Sequence, residues 1–251
     1  MTRSRRARLA PTAALAALLA LPGFAPAQVT APPGQQMRFA EQIAAIQETD
    51  RANPPKQGQI LLIGSSLFRL WDQVEEQMAP LPVLNRGFGG SRTWEALAYM
   101  DQIVIPYNPR IILYYEGSND VNAGQPADQI VDRFKQFAAR AAVELPRTKI
   151  FFVSPLRSPD KQERWDVVDQ INAQMQAFAS TSMQVDFIDV NPPLHNADGS
   201  PKNEWYTDGQ HITPEAYVEW AKIVKPIIAE AWGRAPAYYG PTSPGRPSTN
   251  P

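Results

Sequence analysis

Five short apolar runs recur along the chain, and between them lie stretches with helical spacing. This alternation limits the fold more than any other feature. The runs fall at residues 59–63, 82–85, 110–115, 148–154 and 184–190. They are rich in Ile, Leu, Val, Phe and Tyr. That pattern suits strands covered on both sides. Residues 37–51, 67–78, 92–100, 126–145, 161–180 and 213–232 read as helices. Within 126–145, Ile130, Phe134, Phe137, Ala141 and Leu145 follow a helical period, and Pro126 suits the first turn. Thr213, Pro214 and Glu215 form a start signal: a cap, a residue preset for the first turn, and an acid facing the positive helix end. Strands alternating with helices, joined by right-handed crossovers, predict an α/β fold. The expectation is a three-layer α/β/α, flavodoxin-like doubly wound sheet of about five parallel strands. The 251 residues suffice for one such domain, and no internal repeat interrupts it.

The two ends differ in composition. Arg3, Arg5, Arg6 and Arg8 form a basic head, an Ala/Leu-rich run follows, and Ala25-Pro26-Ala27 fits a small-x-small cleavage site. Residues 1–27 are therefore expected to be a secretory signal peptide, which makes the mature protein secreted or periplasmic. Ser4-Arg5-Arg6 leaves both the general and the twin-arginine export routes open. An uncleaved anchor helix is the alternative. Residues 28–235 read as the globular domain, and the Pro/Ser/Gly-rich segment 236–251 as a disordered tail. Without the first 27 residues the chain holds 20 basic against 25 acidic residues, a net −5. No nucleic-acid partner is expected from that balance, nor any stable membrane insertion after signal removal. The chain has no cysteine, which excludes disulfides, thiolate catalysis and cysteine metal sites.

A doubly wound sheet gathers its ligands beyond the carboxyl ends of the strands. Polar segments stand at four such places. Ser65 and Ser66 follow the first run. Residues 85–91 (NRGFGGS) follow the second, and 117–120 (GSND) the third. Residues 208–211 (DGQH) lie beyond the fifth. Each has a bland reading: a helix cap, a tight turn, an Asx turn, and a turn with a surface histidine. His195, the only other histidine, sits in a loop with no base-orienting pattern.

Taken in order, the four segments resemble the blocks of the SGNH hydrolases, also called the GDSL esterase and lipase family. The resemblance runs from about residue 59 to 232. It rests on Gly64-Ser65-Ser66, Gly90, Gly117-Ser118-Asn119-Asp120 and Asp208-Gly209-Gln210-His211. The first block departs from the family pattern, with Ser65 where an aspartate is usual. The resemblance implies a serine esterase with Ser66 as nucleophile, His211 as general base and Asp208 orienting the imidazole. It implies an oxyanion hole from the Ser66 and Gly90 backbone N–H groups and the Asn119 side-chain amide. An imidazole ordinarily titrates near about 6.5, so at pH 7 it is available as a neutral base. Asp120 is expected to brace its turn, while Ser65 and Arg92 stand outside the catalytic set.

No cofactor and no metal are expected. The anticipated partner is a small-molecule or glycan ester, with short-chain or acetyl groups favoured because no long apolar insertion suggests a lid. Other readings are O-acyl transfer to envelope glycans by the same residues and a non-catalytic glycan- or envelope-binding module. A metal-dependent hydrolase built on His211, His195 and Asp208 is also conceivable, but no metal-ligand spacing supports it. Phe68 and Trp71 are expected to pack against the sheet, and Trp205 and Tyr206 are candidate pocket walls.

Overall fold

A computed structural model describes residues 31–32 and 34–238. Its sheet has five parallel strands: β1 (Ile60–Gly64), β2 (Val83–Asn85), β3 (Ile111–Tyr115), β4 (Lys149–Val153) and β5 (Val185–Ile188). They lie in the order β2-β1-β3-β4-β5, the doubly wound arrangement expected from the sequence. Ile60 stands opposite both Val83 and Ile111, and Ile150 opposite both Ile112 and Val185. The three inner strands are buried along their whole length. The edge strands β2 and β5 are only partly so, which follows from their having one neighbour each.

Successive side chains of a strand point to opposite faces, so the sheet divides the core in two. Leu61, Ile63, Ile112, Tyr114, Ile150 and Phe152 meet the helices Ala127–Glu144 and Trp165–Thr181 on one side. Leu62, Leu113, Tyr115, Phe151 and Val153 meet Ser66–Arg69, Val74–Met78 and Pro214–Tyr238 on the other. Helices on both faces complete the three layers. Thr213 caps the last helix as its sequence suggests, with Oγ1 accepting from Ala216 N–H at 3.3 Å.

Several helix boundaries differ from the sequence expectation, and tertiary packing gives the reason. The single helix expected over 67–78 is two short ones, because the chain turns between them to bury Trp71. That ring stacks on Tyr217 at 5.5 Å and donates from Nε1 to Gln77. The helix expected from 161 starts as a tighter turn, Pro159–Arg164, and becomes α-helical at Trp165. The last helix continues to Tyr238, into the segment expected to be a disordered tail. The rest of that tail and the expected signal peptide lie outside the described residues. Among the described residues no helix is long and apolar enough to cross a membrane.

Phe134 is central to the first core. It is fully buried and meets both Tyr114 and Phe152 edge-on, each at 4.9 Å. Phe134→Ala should lower unfolding free energy by about 3–5 kcal/mol in urea titrations, through lost transfer energy and the cavity left behind.

Candidate active site

Strand β1 ends at Gly64, where the backbone passes so close to β3 that a Cβ would lie 2.2 Å from the Tyr115 carbonyl oxygen. Only glycine fits there. The next peptide stays hooked to β3, with Ser65 N–H donating to that same oxygen at 3.1 Å. The chain then turns into the helix Ser66–Arg69, in which neither Ser65 nor Ser66 forms a side-chain cap. Both serines are buried, Ser66 retaining 8% of its surface. The capping reading therefore fails for both hydroxyls. The Ser65 carbonyl accepts from Phe68 and Arg69 N–H, so backbone bonds hold the loop where the family pattern has an aspartate.

His211 comes to Ser66 from the far end of the chain. Its Nε2 lies 2.9 Å from Ser66 Oγ, and its Nδ1 lies 2.6 Å from Asp208 Oδ2. A carboxylate can only accept, so Nδ1 carries the hydrogen and Nε2 is left to accept from the serine hydroxyl. The other Asp208 oxygen accepts from the backbone N–H groups of Gln210 and His211 at 3.0 and 2.7 Å. Partial burial pushes the Asp208 carboxyl upward. The hydrogen bonds from the His211 ring and from these two N–H groups outweigh it and hold the pKa at about 2.

Gly90 and Asn119 line the same cleft as Ser66 and His211, a space of about 510 Å³. Gly90 takes φ +84°, a left-handed conformation that favours glycine in the loop after β2. Asn119 donates one amide hydrogen to the Ser91 carbonyl at 2.9 Å, which leaves the second free. A more apolar cavity of about 320 Å³ adjoins the other side of His211, with Leu70, Ile212, Pro214 and Tyr217 in its wall.

The chain from 64 to 218 matches the family model described as GDSL-like Lipase/Acylhydrolase family. The chain belongs to this family. It is a carboxylic ester hydrolase, and the sequence resemblance holds. Solved structures agree in fold. A protein from Streptococcus pneumonia, provisionally described as a platelet activating factor, is 25% identical with a TM-score of 0.66, covering 75% of this chain and 92% of that one. A GDSL-like lipase from Bacteroides thetaiotaomicron is 20% identical with a TM-score of 0.63, covering 77% and 97%. A carbohydrate esterase family 3 protein from Talaromyces cellulolyticus is 16% identical with a TM-score of 0.56, covering 69% and 97%. No curated protein matches the chain.

Other residues of this GDSL-family chain fall away from the cleft. The His195 ring nitrogens face the Asn191 and Arg157 carbonyls at 2.9 and 3.0 Å, in a separate cavity. Among the described residues no group of three or more His, Cys, Asp or Glu side chains is placed to hold a metal. Phe68 and Trp71 pack in the core as expected. Tyr206 is also core, Trp205 rests against the same cluster, and neither lines the two cavities beside His211.

Behind the loop that bears Gly90 lies a layer of carboxylates that the sequence, Asp120 apart, did not announce. Asp120, expected to brace its turn, accepts from Thr93 N–H at 3.0 Å and Thr93 Oγ1 at 2.7 Å, and pairs with Arg133 at 3.3 Å. Glu95 accepts from Arg92 N–H and from Arg38, whose guanidinium also donates to the Gly90 carbonyl at 3.0 Å. Phe39 sits edge-on to Phe88 at 5.3 Å, so the segment ahead of the helix Ala40–Ala52 is clamped to the loop bearing Gly90. Glu116 is fully buried at the end of β3. Its Oε1 accepts from Ser91 Oγ at 2.5 Å, while Oε2 has no partner. The one available signal was an acid directly after five apolar strand residues.

Burial drives the Glu116 pKa well above the usual carboxylate range. The Ser91 hydrogen bond opposes the shift, and the charges of Asp120 and Glu95 add to it. A buried acid with a raised pKa keeps its proton in the folded state after the unfolded chain has lost it. Between the unfolded and folded pKa values, stability therefore falls with rising pH, by about 1.4 kcal/mol per pH unit for one group. Glu116→Gln removes this term. In urea unfolding at pH 5, 6 and 7, the stability of the variant relative to wild type should rise steadily with pH.

Proposed function

We propose that the protein is an exported serine esterase that hydrolyses short-chain acyl esters, acetyl esters included, on a small molecule or a glycan. The observation that carries this reading is the 2.9 Å contact between His211 Nε2 and Ser66 Oγ, within the range needed for proton transfer. As Ser66 Oγ attacks the ester carbonyl, its proton passes to Nε2. Asp208 stays ionised at any working pH, fixes the tautomer and stabilises the imidazolium that forms. The carbonyl oxygen becomes an oxyanion, with the Ser66 and Gly90 backbone N–H groups and the free Asn119 amide hydrogen as its donors. The imidazolium then protonates the departing alcohol and the C–O bond breaks, leaving Ser66 acylated. Water then attacks the acyl carbonyl as it gives a proton to His211, and the imidazolium returns that proton to Ser66 Oγ as the acyl C–O bond breaks, which releases the acid and restores the serine.

The limited apolar cavity beside His211 suits a small acyl or alcohol group better than a long chain. The Asp208 side chain is 55% exposed, so bulk water reaches the triad, which favours hydrolysis over acyl transfer to a sugar hydroxyl. Export rests on the basic head, apolar run and cleavage pattern of residues 1–27.

A fluorophosphonate probe should label Ser66 alone, as read by peptide mass mapping. Ser66→Ala should lower p-nitrophenyl acetate hydrolysis by roughly 10⁴-fold or more, whereas Ser65→Ala retains a substantial share. Asn119→Ala should lower kcat by about 10²–10³-fold. Equal losses in the two serine variants, or label on another residue, would contradict this reading.

A further inference from the structure

Arg69 stands one helical turn after Ser66, and its side chain turns into the same cleft as Ser66, Gly90 and His211. It lies along the loop after β2: a Cβ on Gly89 would sit 2.5 Å from the Arg69 Nε and 3.3 Å from Cζ and Nη2. A side chain at 89 would displace it, so the glycine makes room for a guanidinium immediately beside Gly90. Among the described residues this guanidinium has no hydrogen-bond or ion-pair partner. Asp72, the nearest acid along the chain, lines the neighbouring apolar cavity and forms no ion pair with it. The cleft wall contains no carboxylate and one full charge, that of Arg69. Its other polar groups include two neutral amides, Gln42 and Gln210. The Gln210 carbonyl is already taken by Asn122 at 2.9 Å, which leaves its N–H groups for a ligand.

Building on the esterase reading, we propose that the natural substrate carries a carboxylate near its ester, and that Arg69 is the specificity-determining residue that recognises it. A guanidinium presents a planar fork of donors that matches a carboxylate in two parallel hydrogen bonds. One cation backed only by neutral amides balances a monoanion, which selects a carboxylate over a doubly charged phosphate. The amides of Gln42 and Gln210 flank the same space and serve the polar remainder of an acidic substrate, such as an acylated sugar acid or hydroxy acid.

The test uses two matched ester pairs, each corrected for spontaneous hydrolysis. Comparing p-acetoxybenzoate with its methyl ester puts the charge on the alcohol side. Comparing mono-p-nitrophenyl adipate with p-nitrophenyl methyl adipate puts it on the acyl side. The wild type should prefer the charged member of at least one pair in kcat/KM by about tenfold or more, mainly through KM. Arg69→Gln should bring that ratio close to one, and Arg69→Lys should keep part of it. Because the readout is a ratio within a pair, any general loss from the substitution cancels. About 0.5 M NaCl should shrink the wild-type preference and leave the Arg69→Gln ratio where it is. Equal turnover within both pairs by the wild type, or a preference that survives Arg69→Gln, would overturn the inference and leave the esterase reading standing. No turnover of any of the four esters, with Ser66 also unlabelled by a fluorophosphonate, would overturn both.

Discussion

The hydrogen bond between His211 and Ser66 joins residues 145 positions apart, and no local structure holds them together. Everything that supports the bond belongs to the fold as a whole. Ser66 is fixed because Gly64 lets β1 press against β3 and because Ser65 N–H is hooked to that neighbour. His211 is fixed because the loop before the last helix folds on itself, with Asp208 gripping both the ring and the backbone. The last helix in turn is anchored to the helix that begins at Ser66 by Tyr217, whose hydroxyl donates to the Leu67 carbonyl at 2.7 Å. The sheet thus acts as a rigid spacer between two short, individually weak turns.

The side of the cleft that bears Gly90 is held differently. Three buried acids, Glu95, Glu116 and Asp120, accept hydrogen bonds from Arg92, Ser91 and Thr93, the residues directly after Gly90. Buried charge is costly unless it is hydrogen-bonded and paired. Arg38 and Arg133 supply part of that pairing, and the raised pKa of Glu116 supplies the rest by keeping a proton. Some fold stability is given up locally where the wall of the cleft rests on buried acids.

Much of this is legible in the amino-acid sequence. The central strands declare themselves because both of their faces are buried, so residues 60–63 and 111–115 read as unbroken apolar runs. The gathering of Ser66, Gly90, Asn119 and His211 follows from parallel strands, which put every carboxyl end on one rim. What could not be read depends on contacts distant in sequence. Nothing near Arg38 announces that Glu95 waits 57 residues on. The break after Arg69 is set by where Trp71 finds Tyr217, not by a helix-breaking residue. Trp205 and Tyr206 looked like pocket walls because they precede the Asp208 turn. The chain folds them against the core of the last helix instead.

The clamp formed by Arg38 and Phe39 holds the segment ahead of the helix Ala40–Ala52 beside the cleft, against the carbonyl of Gly90. For anyone handling the molecule, this makes the segment ahead of Arg38 a poor point of attachment. A bulky affinity tag or surface linkage joined just ahead of Arg38 would crowd the entrance and pull on the loop that carries Gly90.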